Sequence, residues 1–123
     1  MGGGGLISGT CLAAQLYGKN CTVMGGEPFE ADDAYRSLQS GRIEHNRTAS
    51  TIADGLRTNL GDITFPIIRQ YVESIVRVTE KEIIEAMRLL WERLKVVVEP
   101  SGAVAFAAAL KAKDQFKGKN AGI

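Results

Sequence analysis

Short β-prone runs alternate with helix-period segments along the whole chain, and this alternation restricts the fold to α/β layers with parallel strand pairing. The runs are Thr22-Val23-Met24, Ser74-Ile75-Val76-Arg77-Val78 and Val96-Val97-Val98. Gly25-Gly26-Glu27-Pro28 closes the first as a loop, since proline cannot continue a central strand, and Glu99-Pro100 closes the third. Between them, Leu6, Ile7, Leu12, Ala13 and Leu16 give an apolar helical face over Leu6 to Tyr17. A short helix is expected over Asp32 to Leu38, stopped by Gly41, and Arg42 to Ser50 reads as a polar surface loop. Thr64 caps a helix with Pro66 near its start, running to about Glu73. Thr79 and Glu82 form a capping box, opening a helix whose Ile83, Ile84, Met87, Leu90, Trp91 and Leu94 make one core-facing stripe. Ser101 is expected to cap an alanine-rich helix over Gly102 to Lys113, after which the tail reads as the start of another strand.

Charge narrows the choice of partners. Fifteen Lys+Arg against 14 Asp+Glu leave a net charge of +1 on 123 residues, with the two signs interspersed. A single domain of this kind lacks the long-range field that nucleic acid or an anionic membrane surface would require. No apolar run approaches the roughly 20 residues of a membrane span, and the first residues lack a signal-peptide pattern. The expectation is a soluble cytoplasmic protein. Cys11 and Cys21 match no zinc spacing and are expected as buried free thiols.

Three segments could carry chemistry. Gly2 to Gly5 feed directly into an apolar helix, where bare backbone N–H groups at the positive end of the dipole can wrap a phosphate. The same run could equally be a flexible linker, and it is neither a Walker loop nor a dinucleotide fingerprint. Glu27, Glu30, Asp32 and Asp33 concentrate carboxylates at a strand end, which suits a hard cation, although an acidic helix start is the commoner reason. Glu99 stands at the end of an apolar run, either facing a ligand or as a solvated turn. His45 lies in the polar loop without a nucleophile beside it and reads as a surface residue.

Five blocks taken together are more specific: GGGGLISG from Gly2, GGEPFEADDAYRS from Gly25, TIADGLRTNLG from Thr51, VTEKEIIEAM from Val78 and ERLKVVVEPSGA from Glu92. In this order and nearly without gaps, the chain resembles the serine racemase and serine/threonine dehydratase family, pyridoxal-phosphate enzymes of fold type II. The resemblance covers the C-terminal half of a family member. It implies an open, mostly parallel sheet with flanking helices, residues 1–123 forming an incomplete C-terminal part of the large, cofactor-binding domain.

What the resemblance implies for the site follows residue by residue. Gly2, Gly3, Gly4 and Gly5, with the Leu6 amide, are similar to the cradle of the cofactor phosphate. Glu27, the Ala31 carbonyl and Asp33 are similar to the ligands of a divalent cation, Mg²⁺, Mn²⁺ or Ca²⁺, which displaces the plain helix-cap reading. Gly55 resembles the glycine beside the cofactor ring, Glu99 the acid near its edge, and Lys95 a lysine that contacts a regulatory nucleotide. The implied activity is α,β-elimination of L-serine, L-threonine or a similar amino acid to a 2-oxo acid and ammonia, alongside serine racemisation, in a homodimer. The family's cofactor-bearing lysine lies upstream in a serine-x-lysine motif that this sequence lacks, so the chain is expected to be an inactive fragment with no catalytic residue of its own. The competing expectation is a non-catalytic module that binds a phosphorylated ligand.

Overall fold

The computed structural model describes residues 1–123. Two strands, β1 (Val23–Pro28) and β2 (Val72–Val78), pair in parallel from Val23 opposite Val72 to Pro28 opposite Val78, with one register irregularity after Val23. The segment read as a closing loop is therefore strand. Pro28 sits at the last position, where a missing N–H interrupts nothing further along the ladder. Gly26 has a packing reason: a Cβ there would lie 3.0 Å from Ala108 Cβ and 3.2 Å from the Val104 carbonyl oxygen. A helix thus rests on β1 so closely that a side chain here would have to push it back by a few tenths of an ångström.

That helix is α5 (Pro100–Lys111), which lies against α4 (Glu80–Leu89) on one face of the sheet. Buried Val78, Ile83, Ala86, Ala103, Val104, Ala107 and Ala108 fill the layer between them, with Ala53. On the other face, α1 (Gly5–Tyr17) packs against α3 (Thr64–Tyr71), with α2 (Asp33–Ser40) alongside, around Cys11, Ala34, Leu60, Phe65, Ile68, Val72 and Ile75. Ile68 and Ile83 are fully buried, each gaining about 1.5–3 kcal/mol from leaving water. The layered α/β reading with parallel pairing holds, with two strands in the sheet.

Helix boundaries follow local chemistry. The capping box forms in both directions: Thr79 Oγ1 accepts the Glu82 N–H at 3.2 Å, and a Glu82 carboxylate oxygen accepts the Thr79 N–H at 2.7 Å. Pro100 takes the first position of α5, where its lack of an N–H costs nothing, so this helix starts two residues earlier than expected. Ser101 consequently lies inside the helix and does not cap it. Thr64 is likewise helical, after Ile63 at the N-cap, and α3 ends at Tyr71.

Several expectations fail because tertiary partners decide them. Val96, Val97 and Val98 form no strand; Val97 is 86 % exposed, and extended backbone persists as a strand only where a neighbour takes its N–H and C=O groups. The tail after Phe116 forms none either. Of the expected stripe only Ile83, Met87 and Leu90 pack in the core; Ile84 within α4, and Trp91 and Leu94 in the π-type turn over Leu90–Leu94, are exposed, Trp91 by 49 %. Cys11 is buried as expected, but Cys21 is exposed. No helix is long and apolar enough to cross a membrane.

Candidate functional site

The glycine run is an ordered turn, not a loose linker. Gly2 and Gly4 have φ of +57° and +82°, which only glycine adopts without strain, and Gly4 forms the N-cap of α1. Side chains of α3 and of the segment before it hold the turn. Thr64 Oγ1 donates to the Gly3 carbonyl at 2.6 Å, and the Gly61 N–H donates to the same oxygen at 3.3 Å. A Cβ on Gly4 would come within 2.6–2.9 Å of Ile68, Leu60 and Thr64.

This clamping leaves the turn's outer donors free. Ser8 is the first α1 amide to reach a backbone carbonyl, that of Gly4 at 3.0 Å. The N–H groups of Gly3, Gly5, Leu6 and Ile7 have no acceptor, as geometry requires for the first turn of a helix. Gly3, Gly5 and Leu6 are exposed, and a Cβ on Gly5 would meet no atom within 4 Å. Open space, unpaired N–H groups and the positive end of the helix dipole fit a phosphate monoester.

One further residue of the expected site, Gly55, lies beside this turn, and Glu99 is linked to it only through the start of α5. A Cβ on Gly2 would stand 3.3 Å from Thr58 Cγ2 and 3.6 Å from the Gly55 carbonyl oxygen. Gly55 occupies a single 3₁₀ turn, Asp54–Leu56, and its N–H donates to Ser101 Oγ at 3.0 Å. Ser101 belongs to the first turn of α5, immediately after Glu99 and Pro100. Glu99 is exposed, and as N-cap it offers its carbonyl, not its carboxylate, to the Gly102 and Ala103 amides. Gly2, Gly55 and the N-terminus of α5 therefore form a connected series.

The carboxylate pair lies behind the cradle. Glu27 is fully buried at the end of β1, with one oxygen accepting the Tyr35 N–H at 2.8 Å and the other, Oε1, accepting no hydrogen bond. The Met1 ammonium is 3.7 Å from that oxygen. Although the two stand at ion-pair distance, burial moves both toward neutrality, lifting the Glu27 carboxyl to about 7 and lowering the ammonium from its usual 8.0. Asp33, also buried, accepts Asn46 Nδ2 at 2.9 Å and the Leu60 N–H at 2.6 Å. Ala31 is buried in the 3₁₀ turn Phe29–Ala31 that connects them. No cluster of three or more His, Cys, Asp or Glu side chains occurs; a cation here would take two carboxylates, a carbonyl and water. A buried carboxylate oxygen without a donor fits such an ion.

Lys95 stands apart, exposed at φ +59° after the π-type turn, its Nζ donating to the Glu92 carbonyl at 2.9 Å. His45 is exposed, as are all seven lysines. The sequence reading missed Thr64, Asn46 and Ser101 as site-building residues. Each was visible only as a cap or loop residue, because its partner is 12 to 61 positions away.

A family described as pyridoxal-phosphate dependent enzyme matches residues 1–123. Serine racemase from Dictyostelium discoideum is 50 % identical over 121 residues, which are 97 % of this chain and 37 % of that protein. L-threo-3-hydroxyaspartate ammonia-lyase from Pseudomonas sp is 46 % identical over 124 residues, 100 % of this chain and 39 % of that protein. Among solved structures, the processed form of threonine deaminase isoform 2 from Solanum lycopersicum superposes with a TM-score of 0.90 at 30 % identity, covering 98 % of this chain and 33 % of that one. The chain thus spans well under half the length of the proteins it matches.

Proposed function

The chain belongs to the pyridoxal-phosphate-dependent enzyme family, and from that footing we propose that it forms the C-terminal part of the cofactor-binding domain of a serine/threonine ammonia-lyase. The reaction is loss of the α-proton and the β-hydroxyl of L-serine, L-threonine or a similar β-hydroxy amino acid, yielding a 2-oxo acid and ammonia. Serine racemisation shares its first step, removal of the α-proton. Relatives among racemases and ammonia-lyases support both outcomes.

One observation carries the reading: unpaired amides of Gly3, Gly5 and Leu6 open from a turn that Thr64 and Gly61 hold fixed. These donors, with Gly2 and Gly4 shaping the turn, would hold the phosphate of pyridoxal 5'-phosphate. When bound, that cofactor withdraws electrons from the substrate α-carbon so that its proton can leave. Gly55 and Glu99 would border the ring, the glycine permitting close approach. Glu27, the Ala31 carbonyl and Asp33 would hold Mg²⁺, Mn²⁺ or Ca²⁺ in a structural role. Lys95 enters as a nucleotide contact by resemblance alone, and a homodimer is the proposed assembly.

The test is a product assay on the natural polypeptide that carries this chain, supplied with pyridoxal 5'-phosphate and a divalent cation. It should release ammonia and a 2-oxo acid from L-serine, L-threonine or L-threo-3-hydroxyaspartate. Turnover of none of the three, with D-serine also absent from L-serine incubations, would overturn the proposal.

A further inference from the structure

Two hydrogen bonds tie the Gly55 turn to the helices packed beside it. Arg57 closes it by donating Nε and Nη2 to the Thr51 carbonyl at 2.8 and 2.6 Å, and the Ala53 N–H donates to Thr51 Oγ1 at 3.2 Å. Glu80 accepts the Ile52 N–H at 2.8 Å and so ties one side of the turn to α4. On the other side, Ser101 Oγ accepts the Gly55 N–H, joining the turn to the start of α5 across 46 residues.

Contact there is tight. A Cβ on Gly55 would sit 3.0 Å from Ser101 Oγ and 3.4 Å from Ser101 Cβ. Gly55 is thereby held at its N–H by Ser101, and its carbonyl oxygen faces Gly2, 3.6 Å from where a Gly2 Cβ would stand. Ser101 itself does not cap α5, so helix formation does not explain this serine. The turn's shape comes from Thr51 and Arg57; buried Ala53 anchors it against α5, and Ser101 alone bonds the Gly55 amide at its tip.

We propose that Ser101 is a positioning residue: its hydroxyl fixes Gly55 between the glycine cradle and Glu99, and so sets the slot that receives the cofactor ring. This rests on the cofactor reading above and adds a residue that acts on the ring portion, not on the phosphate. Phosphate recognition belongs to the α1 amides, which do not touch Ser101. Loss of the hydroxyl should therefore separate the two parts of the ligand.

The experiment uses the full chain and two probes, pyridoxine 5'-phosphate, which has the ring but no aldehyde, and inorganic phosphate. Binding is measured for the unmodified chain, Ser101→Ala and Ser101→Thr, with hydrogen exchange at the Gly55 amide followed in parallel. Alanine suits a helix at least as well as serine, so Ser101→Ala should fold. It should weaken pyridoxine 5'-phosphate roughly fivefold to tenfold, the effect of one hydrogen bond, leave inorganic phosphate unchanged and speed Gly55 exchange. Ser101→Thr, which keeps the hydroxyl, should restore both readouts. Equal weakening of both probes, or unchanged ring-probe affinity and Gly55 exchange in Ser101→Ala, overturns this inference while leaving the cofactor reading intact. Failure of the unmodified chain to bind either probe overturns the cofactor reading and this inference with it.

Discussion

One carboxylate oxygen of Asp33 accepts the backbone N–H of Leu60 at 2.6 Å, in a buried bond spanning 27 residues. Leu60 packs where a Gly4 side chain would be, and its neighbour Gly61 donates to the Gly3 carbonyl. The other oxygen of Asp33 accepts Asn46 Nδ2, which also donates to the Thr58 carbonyl. Asp33 thus braces residues 58–61, the segment that packs against the glycine turn.

Asp33→Ala should therefore destabilise the fold by about 2–3 kcal/mol, because it strands the buried Leu60 amide and frees Asn46. Urea unfolding measures this. A change below about 0.5 kcal/mol, the range of ordinary surface substitutions, would contradict the bracing role.

Glu27 supplies a pH dependence whose sign is fixed by burial. Its carboxyl titrates at about 7 in the folded chain against 4.5 when unfolded, so the folded state holds the proton more tightly. Its contribution is fully present below pH 4.5 and falls as the pH rises toward 7, by about 3 kcal/mol. Glu27→Gln should flatten that slope. Millimolar Mg²⁺ should recover stability above pH 7 in the unmodified chain but not in Glu27→Gln; a cation effect equal in both would show that the ion does not bind at Glu27.

Much of this architecture was visible in the amino-acid order. Reciprocal bonding of Thr79 and Glu82 is local, so sequence spacing suffices to find it, and the glycine run leading into α1 announces its own free amides. The extent of β1 was not visible: whether Gly25 to Pro28 extends as strand depends on Val76 to Val78 lying alongside. Val96 to Val98 present the converse, with high strand propensity and no partner to realise it. In sequence Ser101 reads as a cap because serine at a helix start usually is one; only the distant Gly55 amide gives it another role.

Ser8 is 4 % exposed in α1, and its hydroxyl has no hydrogen-bond partner. Ser8→Ala removes that unpaired group and improves helix propensity, so it should stabilise the chain by about 1 kcal/mol. A lowered thermal midpoint would show that the hydroxyl has a partner in solution.

Gly5 is helical, with open space at its missing side chain. Gly5→Ala should accordingly raise stability, by up to about 1 kcal/mol, while its methyl intrudes on the space a phosphate would use. Denaturation and phosphate-probe titration should move in opposite directions. Tighter or unchanged binding in this variant would place the anion elsewhere.

The most direct measurement is an amide-resolved NMR titration of the full chain with pyridoxine 5'-phosphate. The account predicts saturable shifts concentrated at Gly3, Gly5 and Leu6, with Gly55 following as the ring is received. Saturable shifts that bypass the glycine turn, or spectra unchanged by the ligand, would contradict it.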